Sequence, residues 1–346
     1  MFTRFSSSIR STARAAAPST RGYATASTSA TSNTAPYFLG AGLAGAAAFY
    51  YSTSDQRQLL AEQKQGTEKT PEGTIKVKGE SALSPEEFRT FKLAEVHPYN
   101  HNTSRFVFDL PEGTSSGLTV ASALVVKATK EGEAVGKNGK PVIRPYTPTT
   151  APDVEGKLEL LIKHYPDGVM TEHIFKLKPG DELAFKGPIP KFPYKANEFE
   201  SIALIAGGSG ITPMWQILQA VNANPEDKTK ATLIFSNVTE EDILLRKEFE
   251  ELAKSKPDQF SVVFVLDKPP KGWTGPTGYL NGEAVKAALK GFGTEPEKKE
   301  KVKVFVCGPP GQMKAISGPK KSMKEQGPVE GVLKELGYTE EQVYKF

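Results

Sequence analysis

A glycine-rich turn after an apolar segment carries the residue types of a phosphate-binding loop. The apolar residues 201–206 lead directly into Gly207-Gly208-Ser209-Gly210-Ile211-Thr212-Pro213. Glycines permit a tight turn and a close approach of backbone to ligand, Thr212 is predicted to cap the following helix, and Pro213 suits its first position. The free N–H groups at such a helix start attract anions. Pro213 stands where the G-x-G-x-x-G fingerprint has its third glycine, so a purely structural turn remains an alternative.

Two more side chains are expected at the same edge of the fold. Asp267 follows the mostly apolar segment 261–266, and the mostly apolar segment 302–306 leads into Cys307-Gly308-Pro309-Pro310. In an open parallel sheet, ligands bind outside the carboxyl ends of the strands. A carboxylate there can accept hydrogen bonds from ribose hydroxyls and repel a 2′-phosphate, which favours NAD over NADP. On position alone, an ordinary turn aspartate and a small buried apolar cysteine remain the alternatives.

The first half of the chain offers a second set of residues suited to cofactor binding. The segment Arg144-Pro145-Tyr146-Thr147 combines a guanidinium fork for phosphate, a flat ring for stacking and a hydroxyl for hydrogen bonding. Basic and aromatic types recur at Lys163-His164-Tyr165. The segment Gly168-Val169-Met170-Thr171 is predicted to open a short helix whose N–H groups could hold pyrophosphate. Alternatively, Tyr146 and Tyr165 are ordinary barrel residues.

Short strand-like segments between residues 84 and 197 must position this second set. Turns rich in Pro, Gly and Asp separate these segments, which include residues 88–96, 104–110, 123–128, 157–164 and 182–186. Many short strands with turn signals predict a closed antiparallel β-barrel, here with six strands.

The pattern changes in residues 198–346. Predominantly apolar runs occur at residues 201–206, 231–235, 261–266 and 302–306, and helical candidates lie between them at about 213–222, 241–255 and 282–290. Fully apolar strands that alternate with amphipathic helices predict an α/β domain with a parallel sheet covered on both faces. The glycine turn, Asp267 and Cys307 then follow strands of this one sheet.

The N-terminal part predicts targeting and membrane attachment. Residues 1–34 are rich in Ser, Thr, Ala and Arg and contain no acidic residue, which is typical of mitochondrial import sequences. Residues 35–52 are uncharged and rich in Gly and Ala with aromatic residues at both ends, which favours a single membrane anchor. Residues 53–83 are predominantly polar and are predicted to be a linker. The alternatives are a disordered tail for the first segment and a buried helix for the second.

Net charge and cysteine content exclude several classes of function and of binding site. The net charge is +4, and residues 1–54 contain four arginines and no acid, so the remainder has a net charge of zero. A basic nucleic-acid-binding domain is therefore not expected. The single cysteine, Cys307, excludes internal disulfides and cysteine-ligated iron–sulfur clusters. The four histidines have no carboxylate or cysteine cluster around them in sequence, so no metal site is assigned. Any electron transfer would require an organic cofactor.

Four motifs in this order resemble the ferredoxin–NADP reductase superfamily and, more closely, its NADH–cytochrome b5 reductase family. They are Arg144-Pro145-Tyr146-Thr147, Gly168-x-Met170-Thr171, the glycine turn that ends at Pro213, and Cys307-Gly308-Pro309-Pro310. Chain length, the Arg-rich leader and the short anchor are similar to the fungal mitochondrial branch. The resemblance thus extends over nearly the whole chain.

The resemblance implies that the barrel, residues 84–197, is an FAD-binding domain. Arg144, with Pro145 beside it, would bind the FAD phosphates, and Tyr146 would lie against the isoalloxazine ring. Thr147 would form a hydrogen bond to flavin N5, the atom that receives hydride. The remaining implied residues border the flavin and nicotinamide or hold the pyrophosphate of FAD, and they are Lys163, Tyr165, Gly168, Met170 and Thr171.

The resemblance also implies that residues 198–346 are an NADH-binding domain. Asp267 matches the family's NADH-selecting acid, and Tyr279 matches a nearby aromatic residue. The residues implied to form the nicotinamide crevice are Gly207, Gly208, Gly210, Thr212, Pro213, Cys307, Gly308 and Pro309. Thr147 and Cys307 are the two residues with implied catalytic roles.

The function that the resemblance implies is an NADH-dependent flavoprotein reductase. Hydride would pass from NADH to FAD, and single electrons would then pass to a haem protein such as cytochrome b5. The chain would be a monomer anchored in the mitochondrial outer membrane, with a processed soluble form in the intermembrane space. Two departures from the family pattern are Val169, where many members have Lys, and Thr171 in place of Ser. The alternatives are a related reductase with a different acceptor and a non-catalytic membrane-bound nucleotide sensor.

Overall fold

The first described lobe is built almost entirely of β-strands. The computed structural model describes residues 80–322 and 324–346. The strands of this lobe are β1 (Glu80–Ser81), β2 (Arg89–Pro98), β3 (Thr103–Asp109), β4 (Thr114–Ser115), β5 (Ser122–Ala128), β6 (Arg144–Tyr146), β7 (Lys157–Lys163) and β8 (Glu182–Pro190). One short helix, α1 (Val169–Ile174), follows β7.

Six of these strands form one antiparallel sheet in the order β6-β5-β8-β2-β3-β7. Alternate side chains of the strands point to one interior, where Phe106, Phe108 and Phe185 are fully buried. The two edge strands share no ladder among the described residues. They are linked instead where the backbone N–H of Thr149, beyond β6, donates to the carbonyl of Glu159 in β7 at 3.0 Å. The predicted six-stranded antiparallel architecture is confirmed, and this hydrogen bond joins its two edges.

The second lobe alternates strands with helices. Its strands are β9 (Ser201–Gly207), β10 (Lys230–Asn237), β11 (Phe260–Leu266), β12 (Val302–Cys307) and β13 (Val343–Lys345). Its α-helices are α2 (Ile211–Ala223), α3 (Arg246–Ser255), α4 (Gly282–Leu289), α5 (Pro310–Ser317) and α6 (Gly331–Glu335), with short 3₁₀ turns at Gly208–Gly210, Glu240–Asp242 and Pro296–Lys301.

All five strands of this lobe are parallel and lie in the order β11-β10-β9-β12-β13. Every residue of β9 is buried, which explains its uninterrupted apolar sequence. Its side chains alternate between two cores: Leu204 packs with residues of α2 and α3, and Ile205 packs with residues of α4, α5 and α6. The predicted parallel sheet with both faces covered is confirmed.

Two local predictions are wrong. Thr212 does not cap α2, because the 3₁₀ turn Gly208–Gly210 continues directly into the helix and Gly210 is its N-cap residue. The Thr212 hydroxyl instead donates to the carbonyl of Ser209 at 3.3 Å, and Pro213 is the third helical residue. The helix predicted at about 241–255 starts only at Arg246, because Leu245 has the left-handed conformation (φ 54°). The short elements β6, β13, α5 and α6 carry too little periodicity to predict.

The N-terminal predictions fall largely outside the described residues. This is true of the targeting segment 1–34, the anchor 35–52 and all of the linker 53–83 except its last residues. In the part of the chain that the structure does describe, no helix combines the length and the apolar character that a membrane crossing requires.

The left-handed Leu245 is held by the other lobe. Leu245 is buried, and its backbone N–H donates to the hydroxyl of Tyr99, which lies just beyond β2, at 2.7 Å. A left-handed conformation is strained for a leucine and persists only where its surroundings determine it. The guanidinium of Arg105 lies 5.4 Å from the centre of the Tyr99 ring and also forms an ion pair with Glu248 of α3 at 3.1 Å. Tyr99 therefore fixes one contact between the lobes.

A Tyr99→Phe variant should lower the free energy of unfolding by about 1–3 kcal/mol, because the Leu245 N–H would stay buried without an acceptor. Urea unfolding measures this change. Tyr279→Phe is the matched control, since the Tyr279 side chain is 86% exposed. Equal stability of the two variants would show that the Tyr99 hydroxyl does not hold Leu245.

Candidate functional site

The glycine turn brings the start of α2 into contact with the end of β12. Gly208 has a φ of +51°, a left-handed value that glycine adopts without strain. A Cβ atom on Gly210 would lie only 2.4 Å from the carbonyl oxygen of Cys307. Only glycine at position 210 therefore allows this contact, which joins two of the sequence-predicted segments.

Cys307 ends β12 beside this turn and is half-buried. Gly308 and Pro309 follow it and pack against Gly207. A Cβ atom added to Gly207 would lie 3.0 Å from Pro309 Cδ. Burial raises the pKa of the Cys307 thiol to about 12, and nearby Lys320 only partly offsets this effect. The side chain is thus a neutral thiol near pH 7, suited to contacting a ring and unsuited to acting as a nucleophile.

Alkylation of Cys307 should be slow and should keep accelerating with pH. A rise in pKa from 9.0 to about 12 lowers the thiolate fraction at about pH 8 by roughly a thousandfold. We expect the rate of iodoacetamide labelling to fall by a similar factor relative to the same protein in urea, where this single cysteine is exposed. A labelling rate that levels off near pH 9 would contradict the raised pKa.

The segment Arg144-Pro145-Tyr146-Thr147 lies on the edge strand β6 and just beyond it. Arg144 is exposed, and the only hydrogen bond that its guanidinium makes to a described residue goes to the carbonyl of the adjacent Ile143, at 3.0 Å. Pro145 is exposed as well. Tyr146 is half-buried, and this burial raises the pKa of its hydroxyl above the ordinary value. Thr147 is half-buried, and its hydroxyl has no hydrogen-bond partner within the described part of the chain.

The loop between β7 and α1 is closed by Thr171. The Thr171 hydroxyl lies 3.0 Å from the carbonyls of both Tyr165 and Gly168, and it accepts the N–H of Tyr165 at 3.2 Å. A Cβ on Gly168 would lie 2.5 Å from this hydroxyl. The Met170 side chain is buried in the barrel core. Thr171 and Met170 therefore shape the loop from inside, while the Tyr165 ring is exposed.

Two side-chain contacts join the barrel residues to the α/β lobe. The Tyr165 hydroxyl lies 3.1 Å from the hydroxyl of Ser209 in the glycine turn. Lys163, at the end of β7, forms an ion pair with Asp242 at 3.0 Å. Burial opposes ionisation of Asp242, but hydrogen bonds from Lys163 and Thr239 outweigh it and hold the pKa of this carboxyl below its usual value. The candidate cofactor-binding residues of the barrel lobe and those of the α/β lobe (the two half-sites) thus meet at the glycine turn.

Asp267 and Tyr279 lie at the carboxyl edge of the parallel sheet, as the sequence suggests. The Asp267 carboxylate is half-buried and accepts no hydrogen bond from the residues that the structure describes. Burial raises its pKa above the ordinary value, and Lys268 partly offsets this rise. Its backbone N–H donates to the carbonyl of Asn237 at the end of β10, 3.0 Å away. The Asn237 carboxamide is buried, with neither polar atom paired among described residues.

The donors and acceptors present fit FAD and NADH. An unpaired cation can bind a phosphate, and Arg144 offers one on the edge strand β6. A flavin nitrogen can accept a hydrogen bond from a free hydroxyl, which Thr147 offers. A ribose requires an acceptor without a protein donor, and the Asp267 carboxylate meets this condition beside the unpaired Asn237 amide. These groups are suited to orienting two cofactors for electron transfer, and none of them forms a nucleophile–base pair.

Sequence reasoning missed several residues of this region. Asp242 could have been found, because Thr239 and Asp242 have the spacing of a capping box and form one. Ser209 lies inside the glycine motif, yet its contact with Tyr165 joins residues 44 positions apart. Gln216, buried in α2, bonds to the barrel lobe, and nothing in its local sequence predicts that contact.

Comparison with known proteins agrees with this arrangement. A family model described as "Oxidoreductase FAD-binding domain" matches residues 90–194, and one described as "Oxidoreductase NAD-binding domain" matches residues 204–318. The NADH-cytochrome b5 reductase 2 of Mycosarcoma maydis is 48% identical over 97% of this chain and 96% of its own. The protein of the same name from Coccidioides immitis (strain RS) is 44% identical over the full length of both chains.

A solved structure shows the same architecture. The cytochrome b5 reductase domain of Ulva prolifera nitrate reductase superposes with a TM-score of 0.65 at 28% identity, covering 77% of this chain and all of that domain. Together with the near full-length relatives, the two domain matches assign FAD to the barrel lobe and NAD to the α/β lobe. The chain belongs to the NADH–cytochrome b5 reductase family.

Proposed function

We propose that this chain oxidises NADH through bound FAD and passes the electrons one at a time to cytochrome b5. The observation that carries the proposal is the meeting of the two half-sites. The Tyr165–Ser209 contact and the Gly210–Cys307 contact place the barrel residues, the glycine turn and the end of β12 together. Hydride transfer requires two rings to be held in such proximity, and holding them is what the protein contributes to the reaction.

FAD, when bound, supplies a hydride acceptor that can release its electrons singly. The Arg144 guanidinium would hold its phosphates, and the Tyr146 ring would support the isoalloxazine. The Thr147 hydroxyl would donate a hydrogen bond to N5, because no described protein group competes for it. Gly168 and Thr171, together with Met170, would shape the loop that receives the pyrophosphate.

The α/β lobe would bind NADH along the carboxyl edge of its sheet. The nicotinamide crevice would lie between the glycine turn, with Thr212 and Pro213 behind it, and Cys307-Gly308-Pro309. The neutral Cys307 thiol would contact the ring without attacking it as a nucleophile. Lys163 and Tyr165 would border the crevice from the barrel side, while Asp267 would accept the ribose hydroxyls and Tyr279 would cover the adenosine.

An anaerobic titration tests this proposal. Purified holo-protein should be yellow, with about one flavin per chain, and NADH should bleach it much faster than NADPH does. Oxidised cytochrome b5 added to the reduced protein should then be reduced, at two cytochromes per flavin. A colourless protein, or a flavin that NADH does not bleach, would overturn the proposal. Bleaching without reduction of cytochrome b5 would instead indicate a different electron acceptor.

We further propose an attachment to the mitochondrial outer membrane. The acid-free, Arg-rich residues 1–34 would direct import, residues 35–52 would anchor the chain, and residues 53–83 would tether an FAD-binding domain (84–197) and an NADH-binding domain (198–346). The protein would act as a monomer, and a processed form without the anchor would be soluble in the intermembrane space. Fractionation of mitochondria with carbonate extraction tests the anchored form.

A further inference from the structure

Gln216 connects the two lobes at the point where Thr147 leaves its strand. It lies in α2, the helix that follows the glycine turn, and is only 6% exposed. Its Nε2 donates to the carbonyl oxygen of Pro148 at 3.1 Å, and its Oε1 accepts the backbone N–H of Ser122 at 3.1 Å. Because Pro148 directly follows Thr147, Gln216 fixes the backbone next to the proposed N5 donor.

The carboxamide takes the place of a missing step in the β5–β6 ladder. The paired residues are Leu124↔Tyr146, Val125↔Pro145 and Val126↔Arg144. Two steps further in the same register, Ser122 would stand opposite Pro148, but the Ser122 N–H and the Pro148 carbonyl both bond to Gln216 and not to each other. A carboxamide has the one donor and one acceptor that this step requires. Gln216 therefore bridges the two strand ends as a peptide group would.

The backbone of Thr147 is thereby fixed on both sides. Tyr146 before it belongs to the β6 ladder, and Pro148 after it is bonded to Gln216. Beyond Pro148, the Thr149 hydroxyl donates to the Glu159 carboxylate at 2.6 Å. Of these anchors, only Gln216 comes from the helix that begins at the glycine turn. A shift of that helix would be transmitted directly to Thr147.

We propose that Gln216 is a positioning residue that sets the location of the Thr147 hydroxyl relative to the nicotinamide crevice. The inference rests on the proposed function, in which Thr147 contacts the flavin. Through one buried carboxamide, the α/β lobe aligns the flavin contact made by the barrel lobe. The residue itself touches neither cofactor, so its effect lies in geometry.

The substitution Gln216→Glu makes this bridge depend on the protonation state of a carboxyl group. In Gln216→Glu holo-protein the protonated carboxyl can still donate to Pro148 and accept from Ser122, whereas the carboxylate would repel the Pro148 carbonyl. Single-turnover flavin reduction by NADH should therefore be close to wild type at acid pH and fall about tenfold or more as the pH rises, since small misplacements cost large factors in rate. The visible circular dichroism of the bound flavin should change over the same pH range.

Two comparisons complete the test. Gln216→Met, which has similar length and no donor, should be slow at every pH without a new ionisation. Gln259 is the matched control, because its carboxamide bridges the carbonyls of Asp227 and Thr229 within the α/β lobe alone. Gln259→Glu should lower stability and leave the shape of the pH profile unchanged.

The outcomes separate the inference from the proposed function. A wild-type protein that NADH does not bleach would overturn the function itself. With an active wild type, a Gln216→Glu profile and dichroism spectrum that both follow wild type would overturn the positioning role. Failure of both Gln216 variants to retain FAD would also overturn it, because the residue would then be required only for the fold. If only Gln216→Met loses FAD, the Gln216→Glu variant decides the test. A flavin-reduction rate and a dichroism spectrum that change with pH support the positioning role, and their absence overturns it.

Discussion

A Thr147→Val variant should retain FAD but accept hydride from NADH about tenfold to a hundredfold more slowly, the loss that removal of one well-placed donor produces. Valine has nearly the shape of threonine, so the half-buried site keeps its packing. The Thr147 hydroxyl has no partner among the described residues, and its removal therefore leaves no protein group unpaired. Stopped-flow bleaching of the flavin under anaerobic conditions measures the rate.

Two further variants make this result specific. Thr147→Ser keeps the hydroxyl and should restore most of the rate. Thr229→Val removes a buried hydroxyl that donates to the carbonyl of Phe199 within the α/β lobe, so it should lower stability without slowing hydride transfer. If Thr147→Val binds FAD and bleaches at the wild-type rate, the hydroxyl does not assist the transfer.

The parts of the fold that the sequence predicted are those in which the signal is local. The strand β9 reads as one apolar run because the sheet buries it on both faces. The strand β12 follows the same pattern except at the half-buried Lys303. The glycine turn was recognisable because a close approach to Cys307 excludes every other residue at position 210. In both cases one physical requirement acts on consecutive residues, and it leaves a pattern that can be read without the structure.

The contacts between the lobes leave no such pattern. Gln216 bonds to Pro148 across 68 positions, and Leu245 bonds to Tyr99 across 146. Each contact depends on one side chain meeting one backbone group, which no periodicity reveals. The same reason explains the wrong helix start: the left-handed Leu245 is stabilised by a tyrosine of the other lobe, and its own sequence indicates a continuous helix.

The same distinction between local and long-range signals applies to the candidate site residues. Asp267 could be placed at a strand end from the sequence, because it directly follows a predicted strand. Arg144 was recognised by its motif alone, because its strand β6 was too short to predict. The sequence did not reveal that Met170 and Thr171 have inward-facing side chains, because their segment reads as a ligand-contacting helix start. The structure assigns these two residues to the support of the loop, with Gly168 and the exposed Tyr165 at its surface.

An Asp267→Thr variant should lose most of the preference for NADH over NADPH. The half-buried carboxylate has no described hydrogen-bond donor, so a ribose diol can take both of its oxygens. Threonine removes a charged acceptor and also the repulsion of a 2′-phosphate. Hydrogen bonds to charged groups contribute about 1.5–3 kcal/mol, so the ratio of kcat/KM for the two cofactors should fall by about tenfold to a hundredfold. Steady-state assays with both cofactors measure this ratio.

The other end of the same strand supplies the control. Asp258 is exposed just before β11, at the amino edge of the sheet, so Asp258→Thr should leave the ratio unchanged. In the wild type, the raised pKa of Asp267 adds a pH dependence. Protonation removes the negative charge, which weakens the acceptor and abolishes the repulsion of a 2′-phosphate. The preference for NADH should therefore weaken as the pH falls through this pKa, and at a higher pH than for an ordinary aspartate. A ratio that neither the substitution nor acid changes would mean that another group selects the cofactor.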